Sequence, residues 1–229
     1  MLYFIFFAGL AALAGASPLN GQASYPDKDR SQGFRLVVNV TGLDHDFSPS
    51  IQHTYITAIH TGAAQNLLGI GEQSSSRIFY VNGTTTEYLL GQATTQSDGS
   101  LPPTPFGYSL RPDFEGSAMS TAHLDAGPGD KGYVLTRFPV PYVFLAPEQM
   151  AICYESIPYY GGRNLHIVKN LNLNINKTLP GNCAPVRLIA ECADLGLIPV
   201  HGPASHDYAY DSECYKSVKM IDWTQYGPW

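Results

Sequence analysis

Ala58-Ile59-His60-Thr61-Gly62-Ala63-Ala64-Gln65-Asn66 opens, and Arg77-Ile78-Phe79-Tyr80-Val81-Asn82-Gly83-Thr84 closes, the stretch on which the reading of the fold turns. It reads as a strand, a tight glycine-containing loop and a second strand that ends on a glycosylation sequon. The same texture runs outward in both directions. In Phe34-Arg35-Leu36-Val37-Val38-Asn39-Val40, Phe34, Leu36, Val38 and Val40 share one face, and Arg35 and Asn39 the other. In Leu171 to Asn176 the apolar and asparagine positions alternate in the same way.

Period-two runs predict strands over 34–41, 51–60, 77–82, 84–90, 106–110, 117–123, 132–138, 142–145, 149–155, 164–175 and 185–191. Between them lie clusters with defined turn chemistry, such as Ser97-Asp98-Gly99-Ser100 and Ala126-Gly127-Pro128-Gly129. No long 3.6 periodicity competes, and 17 prolines and 22 glycines would puncture helices. Ala63 to Leu68 and Pro147 to Met150 read as single turns at most. The pattern predicts an all-β chain, a single antiparallel β-sandwich of jelly-roll-like kind, with 33–192 as its domain. Residues 193–229 form a less regular extension that wraps the sandwich and is pinned by Cys214.

The ends carry the export signals. Residues 1–16 are almost wholly apolar and finish on Ala14-Gly15-Ala16, the small-residue pattern of a signal-peptide cleavage site, although the first positive charge is Lys28. A spanning helix needs about 20 apolar residues, and Pro18, Asn20 and Gly21 interrupt too early, so no transmembrane segment is expected in the mature chain. Residues 17–32 are polar and read as a flexible leader. The net charge of −6 argues against nucleic acid, which needs a basic surface.

Four cysteines, Cys153, Cys183, Cys192 and Cys214, fall in the last third. An even number without a C-x-x-C pair, in an exported chain, predicts two disulfides rather than a metal site. Of three connectivities, Cys153–Cys183 with Cys192–Cys214 closes two sequential loops and is the expected one. Three sequons, at Asn39, Asn82 and Asn176, predict N-glycans; Asn39 and Asn176 fall on polar strand faces and Asn82 precedes a turn glycine.

Catalytic signatures are absent: there is no G-x-S-x-G, H-E-x-x-H or phosphate-binding loop. Glu87, Asp113, Glu115, Asp125, Glu148 and Glu155 could supply the carboxylate pair of a glycosidase, but the sequence does not pair them, so no catalytic residue is assigned. Asp44-His45-Asp46 reads as a solvated turn. His201, His206, Asp207, Asp211 and Glu213 form a polar cluster that would suit a metal or acid–base site, against the plainer reading of a decorated loop. No cofactor is expected and no metal ligand is assigned. His60 ends an apolar strand beside Gly62, either as a half-buried ring bonding loop carbonyls or as a ligand contact. Trp223, Tyr226 and Trp229 are the other candidate ligand contacts, because exposed aromatic rings stack on sugars; the alternative for Trp223 is a core edge.

Four segments in order, 33–41, His60-Thr61-Gly62-Ala63-Ala64-Gln65-Asn66, Phe79-Tyr80-Val81-Asn82-Gly83-Thr84 and 182–192, resemble a family of small secreted ascomycete proteins of unknown function. Some of its members are labelled cell-wall-associated or IgE-binding. The resemblance covers roughly residues 33–192. It implies an exported fungal protein of one β-rich domain, supports Cys153 and Cys183 as a pair, and supplies no catalytic residue. The family loop usually reads His-Thr-Gly-Ala-Gly, and this chain has Ala64 at the last place. If that position needs positive φ, alanine strains it by about 1 kcal/mol. The leading expectation is a non-enzymatic surface or cell-wall protein, binding module or effector-like β-sandwich. Its partner would be wall polysaccharide or an extracellular host protein. A secreted hydrolase acting on carbohydrate and a metal-binding protein are the alternatives.

Overall fold

The computed structural model describes residues 25–172, 175, 178–199 and 202–225. The signal segment, the first half of the leader, Asn176, His201, Tyr226 and Trp229 lie outside them. The chain is all-β and antiparallel, as the alternation predicts. Its strands are β1 (Asp29–Ser31), β2 (Gly33–Val40), β3 (Tyr55–Gly62), β4 (Gln65–Gly71), β5 (Phe79–Asn82), β6 (Thr94–Gly99), β7 (Thr104–Pro112), β8 (Met119–Ala126), β9 (Met150–Ile157), β10 (Arg163–Leu171), β11 (Cys183–Ala193) and β12 (Ser212–Cys214). Among the described residues one short α-helix, α1 (Thr85–Leu89), and five single 3-10 turns interrupt them.

Ten strands form one ladder, β10-β9-β11-β2-β3-β4-β8-β7-β6-β5, and β1 pairs with β12. The ladder branches twice. One edge of β2 meets β3 at Val37–Tyr55 and β5 at Gly33–Tyr80 and Phe34–Phe79. One edge of β10 meets β4 at Ile167–Gly69 and β8 at Lys169–Thr121, while β4 itself meets β8 at Leu67–His123. Three straight strands cannot each run antiparallel to the other two. They therefore splay around a three-way corner, and each keeps only one to three pairs there. The branches fold the ladder around a main core that joins β2 and β11 to β7 and β8, with a smaller cluster of Ala151, Cys153, Leu171 and Cys183 beside it.

The ladder of β2 with β11, as long as that of β9 with β10, places Phe34, Leu36, Val38 and Val40 opposite Cys192, Ala190, Leu188 and Val186. Burying each large aliphatic or phenyl group there contributes about 1.5–3 kcal/mol. Alternation predicted that face correctly but not the other. Asn39 is only 3% exposed, and its Oδ1 accepts from Gln52 Nε2 at 2.9 Å. Asn39 therefore does not lie on an exposed polar face, as the alternation had it. Arg187 and Glu191 are buried too, because residues 143–145 and 215–218 cover the far side of β11. Glu191 accepts from the Tyr55 hydroxyl and from the Val218 amide, both at 2.9 Å.

Three local readings change. Residues 84–90, expected as a strand, hold α1, capped by a reciprocal pair in which Thr84 Oγ1 accepts from the Glu87 amide and the Glu87 carboxylate accepts from the Thr84 amide. Residues 132–138 and 142–145 make only isolated bridges, with Pro139 and Pro141 removing ladder donors between them. Gln65–Gly71, read as loop, is β4, so Gly62 and Gln65 close a hairpin around Ala63 and Ala64.

The last strand of the expected leader and the C-terminal segment belong together. β1 pairs with β12, and disulfides join Cys153 to Cys183 and Cys192 to Cys214. From Ala193 onward the chain crosses β5, where Tyr210 N donates to Val81 O and Gly83 N to Tyr208 O. It then returns to β11, where Tyr215 and Ala190 are joined at 2.9 Å.

Candidate functional site

The opening stretch and the C-terminal segment meet at a cleft. The β3–β4 hairpin supplies Ala58, His60, Ala64 and Asn66 to a hollow of about 270 Å³. A neighbouring hollow of about 330 Å³ is walled by Ile78, Asp98, Leu195, Leu197, Ile198 and His206. Arg77, Gly99 and Ser100 line both, so the two form one bipartite cleft. The turn that makes this possible is β6 to β7. A Cβ on Gly99 would stand 2.9 Å from Arg77 Nη2 and about as close to the Phe106 ring, so only glycine lets the guanidinium lie there.

Arg77 Nε donates to Ser97 Oγ at 3.1 Å, and Nη2 donates to the Asp98 carbonyl. Burial lowers its pKa, with the Asp98 charge acting the other way. Asp98 itself faces elsewhere. Its Oδ2 stands 2.5 Å from His206 Nε2, and its Oδ1 accepts from the Tyr80 hydroxyl at 3.1 Å. The Tyr80 pKa is raised, first by burial and then by the Asp98 charge and hydrogen bond. An Asp-oriented imidazole can act as a base, yet the serines lining this hollow are engaged: Ser76 Oγ donates to the Gln73 carbonyl and Ser100 Oγ to the Pro102 carbonyl.

His60 stands edge-on to Tyr159, with ring centroids 5.5 Å apart, and Tyr159 is edge-on to Tyr160 at 5.3 Å. Tyr159 is 54% and Tyr160 40% exposed. The exposed tyrosines thus connect to the smaller hollow through His60, which lines it together with Asn66 and Arg77. Sequence reasoning found His60 but passed over Tyr159-Tyr160-Gly161-Gly162 as a turn. Its two tyrosines on one short turn were the available signal.

The other candidates are dispersed. Trp223 is only 8% exposed and packs edge-on against Tyr142 and Tyr215, which is the core-edge position of its two readings. His206 goes to Asp98, Asp211 to Arg30 and Glu213 to Lys28, so the expected cluster does not converge. Among the described residues no three His, Cys, Asp or Glu side chains gather as metal ligands. Asn82 is half-buried at the end of β5, opposite Thr94 and Ala209.

Two of the scattered carboxylates do come together. Asp113 and Glu155 each lie 2.9 Å from Lys169 Nζ at the three-way corner, and Asp113 also accepts from Thr121 Oγ1. The ammonium fills the space between them, where a glycosidic bond and a water would have to sit. Nearby, Arg111 holds Asp125. His123 Nδ1 is 3.7 Å from the same carboxylate, but burial and the Arg111 charge lower the His123 pKa, so the ring stays neutral at this distance.

Fold and cleft together define a disulfide-stapled all-β protein with a cleft of mixed polar and apolar lining. Residues 31–192 match a domain of unknown function, DUF7907, and the chain belongs to that family. A relative of fungal origin, antigenic protein SchS34 of Stachybotrys chartarum, is 46% identical over 211 residues, covering 90% of this chain and 95% of that protein. This agrees with the fungal family of unknown function that the motifs resemble. No solved structure matches. Among the described residues no helix is long and apolar enough to cross a membrane.

Proposed function

We propose that the chain is an exported extracellular protein that binds saccharide in the bipartite cleft without acting on it chemically. The carrying observation is the exposed Tyr159–Tyr160 pair, edge-on to His60 beside a cleft lined by Arg77, Asn66 and the Asp98–His206 pair. Sugars present apolar CH faces to aromatic rings and a rim of hydroxyls to polar side chains, and this arrangement offers both. Export is supported by the apolar segment ending at Ala16, by two disulfides and by the sequon at Asn82. A relative named for its antigenicity fits a protein met outside the cell. Lys169 between Asp113 and Glu155 weighs against the hydrolase alternative.

Retention on insoluble chitin, β-glucan, mannan and pectate tests the reading. Wild-type protein is expected on at least one matrix, with Tyr159→Ala/Tyr160→Ala released from it. Retention on none of the four sinks the proposal.

A further inference from the structure

We infer that the ligand of this cleft is an acidic saccharide whose carboxylate is received by Arg77. The inference rests on the saccharide reading and narrows it. Arg77 sits at the junction of the two hollows and uses Nε and Nη2 to hold β6. Among the described residues Nη1 makes no hydrogen bond and no carboxylate forms an ion pair with Arg77. Arg30, Arg111 and Arg187, by contrast, each lie against one: Asp211, Asp125 and Glu148. The carboxylate in the same hollow, Asp98, is turned to His206 and Tyr80. Burial outweighs the nearby Asp98 charge at this guanidinium, so its lost hydration is only partly made good by the protein. A ligand anion would replace it.

The surroundings have the same sign. Arg35 Nε donates to Ser76 Oγ, which borders the larger hollow. Asp98 is the one acidic side chain lining either hollow among the described residues. This is a locally cationic cleft on a chain of net charge −6, so a selective anion site is set against a repelling background. The exposed tyrosines connected through His60 make the anion's carrier a ring with apolar faces rather than a bare ion. A uronic acid unit meets both demands.

Titration calorimetry on the full mature chain tests this with an oligogalacturonate hexamer, its methyl ester, chitohexaose, cellohexaose and inorganic phosphate, at two salt concentrations. The acidic hexamer is expected to bind, to weaken with salt, and to outcompete its methyl ester by about ten- to hundredfold, the range of one charge-assisted hydrogen bond in a partly desolvated site. Arg77→Gln is expected to remove that margin. Because Arg77 also fastens β6, the methyl ester and the salt dependence provide a reading that needs no mutation. Equal binding of acid and ester, or preference for a neutral hexamer, overturns the inference while leaving saccharide binding intact. Phosphate competing as well as the acidic hexamer also overturns it, by reducing the site to simple anion capture. No binding by any saccharide fails the broader reading as well.

Discussion

Replacing Ala64 by glycine should stabilise this protein, and replacing its neighbour Ala63 should do the reverse. Ala64 has φ +59°, the left-handed region, whereas Ala63 is not among the residues of positive φ. Both side chains are exposed, so neither substitution removes packing. An L-residue in that region costs about 1–2 kcal/mol through the clash of Cβ with the backbone. Glycine relieves the clash but adds unfolded-state entropy of about 0.4–1 kcal/mol. The net gain for Ala64→Gly is about 1 kcal/mol, and for Ala63→Gly the entropy term alone remains as a loss of up to about 1 kcal/mol.

The turn cannot escape the strain by relaxing. Ala126 N donates to Ala64 O at 2.9 Å, Asn66 N to Asp125 Oδ1 at 2.9 Å, and Asn66 Nδ2 to Leu124 O at 2.8 Å. Urea midpoints at constant slope would read both changes, and a domain of this size should shift its melting temperature by about 2–4 °C per kcal/mol. If Ala64→Gly is neutral, or falls together with Ala63→Gly, the left-handed turn and the argument from it are wrong.

Thr84→Ala should cost about 1 kcal/mol by uncapping α1, while Thr84→Ser keeps both the cap and the sequon; thermal melts of the two variants check this. Alkaline stability should decline from about pH 10 upward, because burial, and for Tyr55 also Glu191, holds phenols protonated in the folded chain. Tyr55 is pushed up to about 12, and Tyr80, Tyr88, Tyr108 and Tyr133 are also raised. The unfolded phenols ionise first, so stability is full below their ordinary pKa and is lost as pH climbs toward the folded values. The opposite edge follows from His53, His123 and His166, whose pKa values burial lowers. Unfolded imidazoles take protons first, so stability should fall as pH drops below about 6.5. Denaturant midpoints across pH would show both flanks, and a flat profile would contradict the burial of these rings.

Alternation made β2 and β11 legible, and with them the all-β class. It also announced a polar face, Arg35 and Asn39, without saying that chain from elsewhere would cover Asn39. Polarity of a face is local information; its exposure is not. β4 was hidden because Gln65-Asn66-Leu67-Leu68-Gly69-Ile70-Gly71 lacks clean alternation and carries two glycines, one of which lets Ile59 and the His166 carbonyl come close. α1 was hidden differently. Thr84-Thr85-Thr86-Glu87 has the spacing of a capping box, but β-branched threonines outweighed it as strand formers. At the site, His60 was visible as a histidine after a strand. Its association with Arg77, Asp98 and His206 was not, because the branch at β2 and the placement of 195–199 and 206 set those neighbours, and neither has a local signature.

That placement bears on where the domain ends. The family match stops at Cys192, but the folded core does not. Cys214, Tyr215 and Val218 are fully buried, and Trp223 nearly so, within the cluster that holds Phe34, Leu36 and Leu188. Tyr215 is hydrogen-bonded to Ala190 and Cys192, and its hydroxyl accepts from Val143 N at 3.1 Å. Removing everything after Ala193 would strip a Tyr, a Val and a Trp from the core at about 1.5–3 kcal/mol each. It would leave Cys192 unpaired and expose Glu191 without its Val218 partner. Opening the Cys192–Cys214 loop alone is worth about 3 kcal/mol. These losses together match the whole stability of an ordinary domain, about 5–15 kcal/mol. A chain ending at Ala193 should therefore show no cooperative thermal transition, whereas Cys192→Ser/Cys214→Ser in the full chain should still melt cooperatively at a lower temperature. A cooperative transition in the shortened chain would mean that residues 194–225 pack on a finished domain instead of completing it.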